Sequence, residues 1–154
     1  MQIKTRVKVT EHFYLDEFWD RNTYIMNDED MLRSHLNIDF INDIEKLRVR
    51  TGCILTINDW FNGGTHQWRG NRNPNCNEYT PGSMHSFKML NNGQKVGAYD
   101  ILTGFGGEYL RQHIRIYHNE YPNFKRMEKD VNWLHVDTKI VKGFNHNKGI
   151  YEFF

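Results

Sequence analysis

Apolar residues recur at helical spacing in the stretch NDEDMLRSHLNIDFINDIEKLRVRTG, residues 27–52. Leu36, Phe40, Ile44 and Leu47 fall on one face, with Ile41 beside them. Acidic residues crowd its start, Lys46, Arg48 and Arg50 its end, and Gly52 stops the run, as the helix dipole and a glycine cap favour. One helix is expected here, preceded by a short amphipathic entry segment, EHFYLDEFW, and followed by a strand, CILTI. Residues 58–95 have no such period. They are rich in Asn, Gly and Pro, yet they carry Trp60, Phe61, Trp68 and Tyr79. A loop of that length in a small domain is usually functional or disordered, and its aromatics argue for the former. Beyond it, VGAYDI reads as a strand. GGEYLRQHIRIYHNEYP reads as a helix with Leu110, Ile114 and Tyr117 inward, ended by Pro122. VNWLHVDTKIV reads as the last strand. The order predicts an α+β fold with a small, mostly antiparallel sheet packed with helices.

Length and composition narrow the classes. A chain of 154 residues is expected to form one domain with a sizeable core, and 10 Phe, 8 Tyr and 4 Trp supply bulky burial despite an apolar content of 38%. A net charge of +1 gives no pull toward nucleic acid or an anionic membrane surface. The apolar runs fall far short of the roughly 20 residues a membrane helix needs. The N-terminal stretch MQIKTRVKVTEHFYLDEF lacks the apolar core of a signal peptide, so synthesis in a cytoplasm is expected, with export only by outside help. Cys53 and Cys76 are too few for a thiolate zinc knuckle, which turns attention to the eight histidines and the carboxylates.

Alternation along a strand places Trp133, His135 and Asp137 on one side of the last strand, and Ala98 and Asp100 on one side of VGAYDI. If those strands are neighbours, His135 and Asp100 converge, and His85 arrives from the loop end. Two imidazoles and one carboxylate with a fourth position open is a catalytic zinc arrangement, able to supply hydroxide near neutral pH. Ordinary turn chemistry around His85 and Asp100 is the competing reading, since the spacing is common by chance.

The surrounding residues add a likeness. SMH…GAYDI followed by NWLHVDT resembles the Ser-x-His…Gly-x-Ala-x-Asp and Trp-x-His-x-Asp motifs of the zinc DD-peptidases. These are the D-alanyl-D-alanine carboxypeptidases and the L-alanyl-D-glutamate endopeptidases of phage endolysins, which share the hedgehog/DD-peptidase fold. EHFYLDEFW is similar to the family's entry segment, and IEKLRVRTGCILTINDW to its helix and strand before the SGYR segment, so the likeness runs from His12 to Thr138. It implies a Zn2+ cofactor held by His85, Asp100 and His135, with Ser83 beside the metal loop.

Three departures accompany it. The segment between His85 and Asp100 is longer than in the family, an insertion expected to loop out at Asn91, Asn92 and Gly93. The SGYR arginine, which in relatives clamps a substrate carboxylate or oxyanion, is missing from INDWFNGG, leaving Arg69 or Arg72 as replacements from the long loop. Where many relatives carry an acidic general base three residues before the last histidine, this chain has Asn132. Asp130, Glu128 or Asp137 could serve instead, with Asp130 favoured. Asp137 could equally act by orienting His135, and Ser83 could be a turn residue. Trp133 reads as core or pocket wall. His12, His35, His66, His113, His118 and His146 read as surface residues.

The implied function is hydrolysis of the peptide stems of bacterial peptidoglycan, with the chain acting as a phage lysis enzyme on the cell wall after release from the host cytoplasm. The alternative is a catalytically weak or inactive wall-binding or virion module on the same fold, which Asn132 and the missing arginine favour. A nucleic-acid module is a third reading, because HQWRGNRNPN interleaves aromatics with arginine. The near-neutral charge and the lack of a basic stripe weigh against it.

Overall fold

The computed structural model describes residues 5–76, 78–86 and 95–154. Its elements in chain order are α1 (Arg21–Met26), α2 (Glu29–Ser34), α3 (Ile38–Thr51), β1 (Ala98–Ile101), α4 (Gly107–Ile116), β2 (Arg126–Glu128), β3 (Leu134–Asp137) and β4 (Tyr151–Phe153). Single 3-10 turns at Leu15–Phe18, Trp60–Asn62 and His118–Glu120 join them. The four strands form one mixed sheet in the order β1-β3-β2-β4, antiparallel except for the β2–β4 pair. The architecture is therefore α+β. The proposed loop at Asn91, Asn92 and Gly93 lies outside the described residues.

The expected helix over 27–52 is two helices. Asn37 adopts an extended backbone and its side chain accepts from the Phe40 amide, which starts α3 afresh, while Asp28 caps α2 by accepting from the Met31 amide. A capping side chain outcompetes continuation of the helix here, although the apolar stripe holds. Leu36, Phe40, Ile41, Ile44 and Leu47 are all buried. Gly52 closes α3 at φ 68°, a left-handed conformation that glycine takes without a Cβ clash.

CILTI is extended but is not a strand. Cys53, Leu55 and Ile57 turn into the core while Ile54 is 72% exposed, so the two-residue period is real. Only Thr56 pairs, exchanging both amide hydrogen bonds with Leu102 at 2.9 and 2.8 Å. The free edge of β1 is thus met by separate pieces of loop. Thr56 bonds Leu102, and the Arg69 carbonyl accepts from the Asp100 amide at 2.9 Å. That bond sets Arg69 alongside Asp100.

Helix α4 stops at Ile116, not at Pro122. Leu110 and Ile114 are buried, but the next turn offers only Tyr117, which is 47% exposed, and the half-exposed His118. Without an apolar face to bury, tertiary packing no longer holds the helix. Two strands follow that the hydrophobic pattern does not mark. Strand β2 is three residues long with a single buried apolar side chain, Met127, and β4 lies after the segment expected to be the last strand.

One apolar core runs from Phe13, Phe18 and Trp19 through α3 to Tyr99, Ile101, Leu134 and Val136 on the sheet. Arg111 of α4 crosses its border. The guanidinium is buried, donates to the carbonyls of Trp133 (2.8 Å), Val131 (2.9 Å) and Glu128 (3.3 Å), and pairs with Glu108 at 2.7 Å. The Gly107 amide donates to the Asn132 carbonyl at 2.8 Å. Helix α4 therefore fixes the turn that leads into β3, and with it His135. Among the described residues, no helix is long and apolar enough to cross a membrane.

Candidate metal centre

Strands β1 and β3 pair with Asp100 directly opposite His135. In an antiparallel pair such partners put their side chains on the same face about 5 Å apart, within reach of each other. His135 Nδ1 lies 2.8 Å from Asp100 Oδ1. His85 comes from the long loop, as the sequence implies, and its Nε2 lies 3.4 Å from Asp100 Oδ2. One ligand atom from each of His85, Asp100 and His135 lies within 4.8 Å of the others, close enough to share a metal ion.

Both imidazoles are held by their other nitrogen. His85 Nδ1 is 2.9 Å from the Gly70 carbonyl, which can only accept, so Nδ1 carries a proton and Nε2 is the nitrogen turned toward the site. Gly70 makes this possible by lying against the backbone of Phe18. A Cβ there would come within 2.6 Å of the Phe18 carbonyl oxygen, and the neighbouring Asn71 amide donates to that same oxygen at 2.9 Å. His135 Nε2 lies 3.1 Å from Asp137 Oδ2, leaving Nδ1 for the site. Asp137 is in turn gripped by Arg126 through Nε (2.9 Å) and Nη2 (2.6 Å). Phe153 of β4 packs edge-on against His135, and the Arg126 guanidinium lies over the Phe153 ring. Carboxylates and carbonyls that orient ligand histidines in this way set the ring and its tautomer.

The electrostatics suit a cation. Burial works against ionisation of Asp100, but hydrogen bonds from His135 and His85 and their charge outweigh it and hold the carboxyl well below the usual carboxylate range. Burial likewise opposes charge on His135, yet hydrogen bonds to Asp100 and Asp137 push its pKa up to about 9. Asp100 and Asp137 thus favour positive charge at His135, and the same carboxylate at Asp100 would favour a bound cation. Two nitrogen donors and one carboxylate oxygen match the preferences of zinc and of other borderline divalent cations.

A cavity of about 370 Å³ opens beside Asp100, lined by Arg69, Arg72, Trp133, Glu78 and His66 among others. Two buried donors on its wall, Arg69 Nη1 and Trp133 Nε1, have no hydrogen-bond partner among the described residues. Burial lowers the pKa of the Arg69 guanidinium, opposed by the charges of Asp100 and Asp59. Arg72 donates to the Trp68 carbonyl at 2.6 Å and reaches Asp100 Oδ2 at 3.4 Å. Unpaired buried donors are costly, so a ligand that brings acceptors is favoured there.

Ser83 and Asp137 take the turn and orienting roles that were their alternative readings, and Asp130 lies apart from the cavity. Ser83 does not line the cavity; its hydroxyl accepts from the His85 amide at 3.2 Å, as a turn residue does. Asp137 is fully buried and saturated by Arg126 and His135, an orienting group rather than a free base. Asp130 is exposed at φ 61° in the turn between β2 and β3, apart from the cavity wall. Asn132 is exposed too. His66, read as a surface residue, lines the cavity with its Nδ1 2.8 Å from Asp59 Oδ2. The Asp-Trp-Phe-Asn-Gly-Gly-Thr-His turn was the available signal, an acid and a histidine bracketing two glycines.

No protein-family model, no curated protein and no solved structure matches this chain.

Proposed function

We propose that the chain is a zinc-dependent peptidase of the hedgehog/DD-peptidase type, hydrolysing the peptide stems of bacterial peptidoglycan as a phage lysis enzyme. One observation carries the reading. His85 Nε2, Asp100 and His135 Nδ1 lie close enough to share one ion, each imidazole is oriented through its other nitrogen, and a cavity whose wall carries donors unpaired among the described residues opens beside Asp100. A structural zinc site would be closed by a fourth protein ligand; three ligands beside a cavity are the catalytic pattern.

His85, Asp100 and His135 would hold the ion. When bound, zinc supplies Lewis acidity toward a carbonyl and lowers the pKa of water. The chain's own groups account for binding and orientation. Arg69, with Nη1 unpaired among the described residues, and Arg72 offer a stem-peptide carboxylate charge-assisted hydrogen bonds, the part played in the zinc DD-peptidases by the SGYR arginine. Trp133 Nε1 offers a donor to a peptide carbonyl and its ring a wall for the chain. Gly70 and Asp137 keep the two imidazoles aimed, and Ser83 shapes the turn that delivers His85.

A non-catalytic wall-binding or virion module is favoured by one observation, the lack of a carboxylate at Asn132 together with the commitment of Asp137 to Arg126. Two measurements separate the readings. Purified protein is expected to hold one zinc per chain, and incubation with peptidoglycan sacculi is expected to release muropeptides with newly cut stems, identified by mass spectrometry. Zinc bound without any cut stem supports the binding module; neither zinc nor cutting removes both.

A further inference from the structure

Peptide hydrolysis needs a group to take a proton from the attacking water and deliver it to the leaving nitrogen. Asn132 cannot do so, Asp137 is buried against Arg126, and Asp130 lies off the cavity. Besides Asp100, the described wall of the cavity carries two side chains with an atom that can accept a proton, Glu78 and His66. Glu78 is 59% exposed in its side chain and approaches only Arg72, at 3.9 Å.

His66 is built in differently. Its amide donates to Asp59 Oδ1 at 2.8 Å and its Nδ1 lies 2.8 Å from Asp59 Oδ2, while its carbonyl accepts from the amides of Asp59 (3.0 Å) and Trp60 (3.3 Å). The carboxylate thus fixes the ring from both the backbone and the imidazole side. Burial works against ionisation of Asp59, but the hydrogen bonds from His66 outweigh it and hold the carboxyl below its ordinary range. With Nδ1–H committed to Asp59, Nε2 is left as the acceptor, and it has no partner among the described residues. The charges of Asp59 and Asp100 both act on Arg69, so the guanidinium lies near each carboxylate.

We infer that His66, oriented by Asp59, is the proton-transfer residue of the site. The inference rests on the peptidase reading. As the oxygen of water bonds to the scissile carbonyl carbon, Nε2 accepts one water proton. As the C–N bond breaks, it gives that proton to the departing nitrogen, so that a carboxylic acid, still carrying the second water proton, and an amine leave and His66 returns to neutral. Asp59 is a positioning residue, stabilising the imidazolium between the two steps.

The test uses full-length protein loaded with zinc, with sacculus digestion as activity. His66→Gln is expected to retain one zinc per chain and the wild-type melting temperature while losing 100-fold or more in kcat, with KM little changed. His66→Ala is expected to regain at least tenfold on addition of free imidazole, which a merely structural histidine would not show. Digestion by His66→Gln within threefold of wild type, or a loss confined to Glu78→Gln, overturns the inference. A second readout needs no substrate. In cobalt-loaded protein, the midpoint of the pH-dependent visible spectrum is expected to move by at least half a unit in His66→Gln, and an unmoved midpoint counts against His66. Should wild type cut no sacculi at all, the peptidase reading fails, and the cobalt midpoint still decides whether His66 addresses the metal site.

Discussion

Asp100 and His135 reach the site from paired strands, whereas His85 reaches it from a loop with almost no regular structure. The strand pair is set by a ladder of backbone bonds, and register alone makes the two side chains meet. The loop histidine depends on individual contacts: the Gly70 carbonyl, the Ser83 hydroxyl, and the bond from the Arg72 amide to the His85 carbonyl at 2.8 Å. A two-residue period dictates one half of the centre, and the other half is assembled contact by contact. The same contrast holds for the cavity, where Asp100 is a strand residue and Arg69, Arg72 and His66 all come from loop.

The largest expected effect breaks the strand half. His135→Ala and Asp100→Ala should abolish zinc retention measured by metal analysis after dialysis, while His113→Ala, whose ring bonds the Tyr121 hydroxyl away from the site, should keep it. Equal loss in all three would point to general unfolding. Next, Arg111→Met should cost about 3 kcal/mol in denaturant unfolding, because it removes a buried guanidinium that donates to three part-buried carbonyls near β3. A cost under about 0.5 kcal/mol would show that α4 does not hold the β3 turn.

On the loop side, Gly70→Ala should weaken zinc binding roughly 10- to 100-fold, the range typical of losing a partner that orients a metal ligand. Titration with a competing chelator measures this, and unchanged affinity would mean that His85 is aimed by something else. The smallest effect concerns the core beneath the loop. Burial pushes Glu17 up to about 7 against the hydrogen bond from the Tyr14 amide and the charge of Arg6. The fold favours its protonated form, so that contribution is whole below the ordinary value of 4.5 and is lost as pH rises through about 7. Glu17→Gln should therefore gain about 1–2 kcal/mol over wild type between pH 5 and 8. Parallel stability curves for the two proteins would refute it.

The apolar period identified what is buried more reliably than where elements begin and end. Leu36 to Leu47 formed the core face as read, although Asn37 split the helix, because a cap is a local competition that an apolar stripe does not register. CILTI turned Cys53, Leu55 and Ile57 inward yet found no partner strand beyond Thr56. Strands β2 and β4 passed unmarked because three residues are too few to show a period. Of the candidate site, His85, Asp100, His135, Arg69, Arg72 and Trp133 were legible; Asp137 and Ser83 took the orienting and turn roles read as alternatives for them, Asp130 lies off the cavity, and His66, read as a surface residue, lines it.

By itself, the order of residues determined the α+β class, the buried stripe and the alternation that aims His135 and Asp100 from their strands, since all of these follow from local geometry repeated along the chain. Tertiary structure alone decided that Arg126 occupies Asp137, that Gly70 lends its carbonyl to His85, and that Asp59 holds His66 at the cavity. Asp137 and Arg126 are neighbours across two strands, and the Gly70 and Asp59 contacts join loop residues with no period to relate them. Such contacts exist only once the whole chain has closed around them.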